Sequence, residues 1–378
     1  MIPFGLTAGD GSPLGSLLND LERLGVNTIR QSLRPDAPAL PVVEEFVGRP
    51  LRPLFLFPRL TDANDQVLWL MRTVVEQLGA SGADIGIGNE SSINGETIDE
   101  AVTAVEYAQD IATQVGFEGA IYASAIPNLD PDRDFGWMRR FWPRLSKEVV
   151  RDFHRYPEIR FPWSLDDRHP WHQFHTLNEE CDAVLHEAAG SPLAITEFAH
   201  STVVRELTLG DDRITNAEAA DYLTADLVLY ATYGITPFVY QLNAGPGDSW
   251  GECQGIRHVS DSRWLPQSAC FARARHLLGE NMADRKWSLV KQVPVSGGMV
   301  LANPDGTIRS LNPASNDPPY GPYHWESRPA GADGGYERCT LGGGRATYNP
   351  SGHEPVVFGF TESVPNTQGY SGLTEDQV

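Results

Sequence analysis

Two stretches decide the reading of this chain: Asp84-Ile85-Gly86-Ile87-Gly88-Asn89-Glu90 and Leu193-Ala194-Ile195-Thr196-Glu197. Each is a short apolar run that ends on a carboxylate. A run of this length without polar alternation reads as a strand buried on both faces, as in a parallel sheet. A Glu just past such a run sits where a barrel strand empties into its mouth. In parallel barrels the C-terminal strand ends carry the chemistry.

Working outward, the same pattern repeats. Candidate strands fall at Ile2–Leu6, Thr28–Ser32, Leu54–Phe57, Asp84–Ile87, Ala120–Ser124, Val149–His154, Leu193–Thr196 and Pro237–Leu242. Helical patterns lie between them. Ser16–Leu24 has leucines at 17, 18, 21 and 24, an i, i+3, i+4, i+7 stripe. Asn64–Leu78 and Ile98–Val115 follow, the latter opened by Thr97 with Glu100 placed for a capping box. His175–Ala189, Asn216–Tyr233 and Pro266–Leu278 continue the series. Eight βα units in order predict an α/β chain folded as a (β/α)8 barrel. No GxGxxG follows the first strand, which removes the main support for a dinucleotide-binding sheet.

After Asn281 the helical period stops and Gly, Pro and aromatics increase. Asn303-Pro304-Asp305-Gly306 is a turn signal between two short strands, and Pro355–Thr361 reads as another strand. The expected division is a catalytic barrel over 1–283, a β-rich appendage over 284–364 and a flexible tail over 365–378.

The chain has 29 basic and 50 acidic residues, a net charge of −21. A field of that sign repels phosphate backbones and anionic lipid, so nucleic acid and membrane surfaces are not expected partners, whereas a neutral sugar is not discouraged. No run approaches the roughly 18 apolar residues of a membrane span. The start lacks a basic n-region and an h-region. That leaves a leader already removed, release by lysis with a virion, or work inside the cell. The four cysteines, Cys181, Cys253, Cys270 and Cys339, have no zinc spacing. Cys181 reads as a small buried hydrophobe, and a Cys253–Cys270 bridge is left open. No cofactor is called for.

Two carboxylates across a barrel mouth are what glycosidic cleavage needs: one protonates the leaving oxygen, the other attacks the anomeric carbon. A lone strand-end Glu more often caps a helix or joins a salt bridge. The pairing on strands four and seven, with Asn immediately before Glu90, outweighs that reading.

On these residues the sequence resembles clan GH-A, the retaining (β/α)8 glycoside hydrolases that include cellulases, mannanases and β-glycosidases, over roughly residues 1–280. The resemblance implies Asn89-Glu90 as the acid/base pair ending strand four and Glu197 as the nucleophile ending strand seven. It implies an Arg at the end of strand two supporting the nucleophile; Arg30 fits that place and Arg34 competes for it. It also implies a His-x-Tyr at strand six near both carboxylates, here His154-Arg155-Tyr156. Asn89 would donate to a sugar 2-hydroxyl, and Arg30 and Tyr156 would keep Glu197 ionised. Glu90, which must be protonated when substrate binds, calls for a less positive setting.

The chain departs from the clan in two places. Strand three ends Phe57-Pro58-Arg59 without the usual His, and strand eight ends at Tyr240 without the usual Trp platform, for which Tyr240 or Trp250 would substitute. Trp163, Trp171 and Trp250, with Trp137 and Trp142, are candidate sugar platforms, each balanced against a place in the core. His169, His172 and His175 step by three and drift around a helix, so no metal site is expected. The other function class left standing is an inactive carbohydrate-binding barrel in a virion or cell-surface assembly. His-x-His at the first strand, wanted by metal-dependent hydrolases, and a strand-end Lys, wanted by aldolases, are both missing.

Overall fold

The computed structural model describes residues 3–9, 13–33, 39–57, 64–127, 134–156, 177–200, 223–224, 226–231, 233–244, 255–258, 264–271 and 274–275, and short strands between 288 and 346. Strands β1 (Gly5–Gly9), β2 (Thr28–Ser32), β3 (Arg52–Phe57), β4 (Asp84–Ile87), β5 (Ile121–Tyr122), β6 (Arg151–Arg155), β7 (Leu193–Phe198) and β8 (Ile235–Tyr240) form one sheet in the order β5-β4-β3-β2-β1-β8-β7-β6. All its ladders are parallel. The sheet closes on itself: parallel bridges join Tyr122 to Val150 and Ile126 to Phe153, with Val150 N donating to Ile121 O at 2.8 Å and His154 N to Ile126 O at 2.8 Å. This is a (β/α)8 barrel.

Helices α1 (Leu17–Arg23), α2 (Ala39–Glu44), α3 (Asn64–Leu78), α4 (Ile98–Val115), α5 (Asp134–Phe141) and α6 (Leu177–Ala188) follow the first six strands, and residues 223–224 and 226–231 are helical before β8. Helix α4 carries the capping box: Glu100 N donates to Thr97 Oγ1 at 3.2 Å, and Thr97 N donates to Glu100 Oε2 at 2.7 Å. Short α2 and α5 escape the sequence reading because six and eight residues hold too few turns to show a period. The first strand starts three residues later than expected. Gly5 opens the observed strand, and a Cβ there would meet the Phe238 ring at 2.2 Å, which explains a glycine at this position. Among the described residues no helix is long and apolar enough to cross a membrane.

The barrel interior is apolar at one end, where Leu54, Tyr122, Val150, Ala194 and Phe238 pack together. Towards the C-terminal strand ends the filling turns polar: Arg30, Asp152, His154 and Thr196 are all buried there. Outside the sheet a continuous apolar layer seats the helices. Trp137 and Trp142 belong to that layer, with Trp142 only 1% exposed, so neither is a sugar platform. Helix α5, which carries Trp137, also buries Phe135, Met138 and Phe141, and Trp142 opens the 3-10 turn that follows it. Also on the outer side, Arg155 donates to Glu180 of α6 at 2.8 Å and approaches Asp226 at 3.8 Å, while His200 meets Asp226 at 2.7 Å. These buried charges tie β6 and the end of β7 to the helices behind them.

Cys181 is a buried free thiol, while Cys253 lies outside the described residues. In the C-terminal part, β11 (Ser288–Leu289), β12 (Met299–Ala302), β13 (Ile308–Asn312) and β14 (His324–Arg328) pair antiparallel, as do β15 (Cys339–Leu341) and β16 (Gly344–Ala346). Between β8 and β11, β9 (Asn243–Ala244) and β10 (Arg257–His258) form a two-stranded parallel pair. The turn at 303–306, the strand expected at Pro355–Thr361 and the tail over 365–378 lie outside the described residues.

Candidate active site

Strand β4 delivers Glu90 through a tight turn. Gly88 adopts φ 76°, and Glu90 itself is left-handed at φ 50°. A side chain in that region costs about 1–3 kcal/mol and persists only where its surroundings over-determine it. They do so here: Ser91 N donates to Ser124 Oγ at 3.1 Å, Ser91 Oγ to the same oxygen at 2.7 Å, and Ile93 N to Glu90 O at 3.0 Å. A Cβ at Gly88 would also meet Ser124 at 3.3 Å, a tight contact added to the strain of its positive φ.

Glu197 arrives on β7, which bulges. Phe153 of β6 pairs with Ile195, but the next residue, His154, pairs with Glu197, leaving Thr196 as the extra residue. A bulge re-aims side chains that a regular strand would send to opposite faces. Thr196 and Glu197 therefore both reach groups inside the barrel.

Around Glu197 the donors converge. Arg30 Nη1 donates to Oε1, and the Tyr156 hydroxyl donates to Oε2. His154 Nδ1 lies 3.6 Å from Oε2. Burial acts to raise the Glu197 carboxyl, but the charges of His154 and Arg30 and the bonds from Tyr156 and Arg30 outweigh it and hold the group below its ordinary range. Burial, with the neighbouring Glu197 charge, pushes the Tyr156 phenol well above its usual value, so it remains a donor.

Glu90 stands opposite with a different company. Its Oε1 is 2.9 Å from His154 Nδ1. Two oxygens this near one nitrogen are separated by at most about 6.5 Å, inside the reach of one sugar ring. Burial disfavours the His154 imidazolium, yet Glu197 and Glu90 overcome that and raise its pKa. Arg30 Nη2 donates to Asn89 Oδ1 at 2.7 Å, which fixes the amide flip and leaves the Asn89 NH2 as the end to offer a ligand.

The structure thus brings Glu90, Glu197, Asn89, Arg30, His154 and Tyr156 to one place at the C-terminal end of the barrel. Tyr240, the last residue of β8, joins them with its ring 5.6 Å from that of Tyr156 and nearly perpendicular to it; the Tyr240–Gln241 peptide is cis. Trp163, Trp171, Trp250, Arg34 and the histidines at 169, 172 and 175 lie outside the described residues.

Sequence reading missed two members. Asp152 accepts from Thr196 N at 3.2 Å and from Thr196 Oγ1 at 2.7 Å, and Thr196 Oγ1 is 3.1 Å from His154 Nε2. Asp152 was legible, because Asp152, His154 and Tyr156 follow the strand period of two. Thr196 was not, since that period sends it to the face opposite Glu197. No group of His, Cys, Asp or Glu suited to a metal occurs among the described residues.

No protein-family model matches the chain, and no characterised protein matches it by sequence. Solved structures do. A glucosidase from Croceicoccus marinus superposes with a TM-score of 0.50 at 13% identity, over 81% of this chain and 74% of that one. A 4-O-α-L-rhamnosyl-β-D-glucuronidase from Fusarium oxysporum superposes with a TM-score of 0.51 at 13% identity, over 85% of this chain and 79% of that one. At that identity the likeness establishes the fold: this chain has the (β/α)8 architecture of those two proteins.

Proposed function

We propose that this protein is a glycoside hydrolase that cleaves O-glycosidic bonds of an oligo- or polysaccharide with retention of configuration, Glu197 acting as nucleophile and Glu90 as general acid/base. The observation that carries this reading is the unequal distribution of donors. Arg30 and Tyr156 both serve Glu197, as a group that must attack as a carboxylate requires. Glu90 receives neither; among the described residues it is held through Oε1 by His154, and we assign Oε2 to the leaving group.

The two facing oxygens stand no more than about 6.5 Å apart, a separation that admits a retaining pair. An inverting pair stands 6.5–9.5 Å apart to admit a water, whereas a retaining pair stands at about 5–5.5 Å. In the retaining sequence, Glu197 attacks the anomeric carbon as Glu90 protonates the departing oxygen. Glu90 then takes a proton from the water that releases the sugar. Asn89, with its carbonyl held by Arg30, presents its NH2 to the 2-hydroxyl, a contact that strengthens as positive charge develops on the ring. The two proteins that share the fold are named as glycosidases, and a net charge of −21 favours a neutral sugar over an anionic one.

The test is a panel of aryl glycosides and dyed polysaccharides, with NMR of the first-formed anomer. The expected result is hydrolysis with retention, abolished in Glu197→Gln. A folded wild-type protein that binds sugar yet hydrolyses nothing in the panel would make it a binding barrel instead.

A further inference from the structure

We propose that Asp152, acting through Thr196, fixes the tautomer of His154 so that the one mobile proton of the site lies between His154 Nδ1 and Glu90. The significance for catalysis rests on Glu90 being the acid/base; the tautomer itself does not.

The argument follows the hydrogens. Thr196 has one hydroxyl hydrogen, and it points to Asp152 Oδ2 at 2.7 Å. The other Asp152 oxygen is occupied by the Thr196 backbone N–H at 3.2 Å. An ionised carboxylate only accepts, so the hydroxyl has no hydrogen left for His154. Thr196 Oγ1, 3.1 Å from Nε2, must then accept, and Nε2 must carry a hydrogen. Nδ1, 2.9 Å from Glu90 Oε1, becomes the position that gains and loses a proton. Asp152 is also faced by Arg30 from β2 and by Tyr122 from β5, and burial pushes its carboxyl up to about 6, so it is ionised above that pH.

This arrangement suits both half-reactions. With the proton on Glu90 Oε1, a half-turn of the carboxyl about Cγ–Cδ presents it to the oxygen that departs as Glu197 bonds to the anomeric carbon. The pair is then left with two facing lone pairs and no hydrogen, which makes Glu90 a stronger base. It recovers its proton from the water whose oxygen displaces Glu197. The opposite tautomer would set a permanent Nδ1–H against the Glu90 carboxylate and weaken it in both roles. Asp152 touches neither substrate nor Glu90 and is a positioning residue.

Asp152→Asn tests this sharply. The Thr196 N–H pins the Asn carbonyl at the Oδ1 place, so the NH2 must occupy the Oδ2 place and donate to Thr196 Oγ1. The hydroxyl hydrogen then turns to His154 Nε2, and the ring proton moves to Nδ1. The experiment is nitrogen NMR of full-length protein with labelled histidine, titrated upward from pH 7, with His154 assigned by loss of its signal in His154→Gln. In the wild type Nε2 should stay protonated throughout and Nδ1 should be the nitrogen that titrates. In Asp152→Asn the order should reverse. Turnover of whichever aryl glycoside the wild type hydrolyses should fall on the order of 10²–10⁴-fold, with the alkaline limb of the pH–rate profile moved to lower pH.

Thr196→Val is the second variant. It keeps the shape and removes the acceptor, and His154 should then sample both tautomers. A wild-type Nδ1–H neutral form, or a tautomer unchanged in both variants, overturns the proposal; if Asp152→Asn does not fold, an unchanged Thr196→Val does so alone. Hydrolysis failing in the wild type while the tautomers follow this pattern would sink the glycosidase reading and leave the relay standing.

Discussion

Arg30 joins Glu197 to Asn89: Nη1 donates to the Glu197 carboxylate and Nη2 to Asn89 Oδ1 at 2.7 Å. One planar fork from β2 thus sets the ends of β4 and β7 relative to each other. Lysine, a single point charge, cannot hold both.

Removing the fork leaves Glu197 buried with less compensation. Arg30→Met is expected to cost about 3–5 kcal/mol at pH 7, the usual loss when one partner of a buried pair is deleted. Glu197 is held below its ordinary range, so its contribution is present above the unfolded-state pKa and is lost as pH falls through the folded one. The gap between wild type and variant should therefore narrow in acid. Urea unfolding at pH 7 and at about pH 3.5 measures it. An equal gap at both would show that the pair contributes little.

Glu197→Gln and Glu90→Gln should fail differently. Without its nucleophile, Glu197→Gln should form no glycosyl-enzyme with any substrate. Glu90→Gln should still react with a dinitrophenyl glycoside, whose leaving group needs no proton, and then stall because water is not activated. Azide needs no general base and should restore turnover, giving a glycosyl azide of retained configuration. Product NMR decides. Rescue to a retained product in the Glu197 variant, and none in the Glu90 variant, would mean the roles are reversed.

Asp152 gives a signed pH prediction of its own. Its carboxyl is raised by burial to about 6, against the pull of His154, Arg30 and Thr196. A carboxyl raised in the fold contributes stability that is complete below the unfolded value and is lost as pH rises through the folded one. Asp152→Asn has no charge to bury. Its stability relative to wild type should therefore improve between about pH 4 and pH 7, by up to about 3 kcal/mol. Thermal melts across that range test it, and a difference that does not change with pH would contradict it.

We also propose that a barrel ends near residue 283 and a β-rich unit runs over 284–364, followed by a flexible tail. Limited trypsin treatment of the full chain should first cut near Arg285, Lys286 or Lys291, leaving a stable fragment of about 280 residues, a size usual for such barrels. Mass spectrometry reads the cuts. First cleavage within 1–283 would refute the boundary.

The strands and their order were written in the local sequence. Runs such as Asp84–Ile87 and Thr28–Ser32 match the observed strands end for end; the first is apolar at Ile85 and Ile87, as burial on both faces favours, while the second buries Arg30 and Gln31 along with Ile29. Glu90 and Glu197 were legible as a pair: one strand-end carboxylate is ambiguous, but two of them, ending strands four and seven, converge on the barrel mouth. The period of two along Asp152, His154 and Tyr156 was present as well.

Other features belong to the tertiary structure alone. Trp142 reads equally well as a sugar platform or as core, and only the tertiary packing of the turn that follows α5 buries it. The bulge at Thr196 follows from how β7 registers on β6, a property of two strands about 40 residues apart rather than of either one. Without that register, the period of two would point Thr196 away from His154, and the hydrogen bonds that select the His154 tautomer would not form. Sequence determines which side chains a strand offers; the closure of eight strands into a ring determines which of them meet, because those contacts join residues that no local pattern connects.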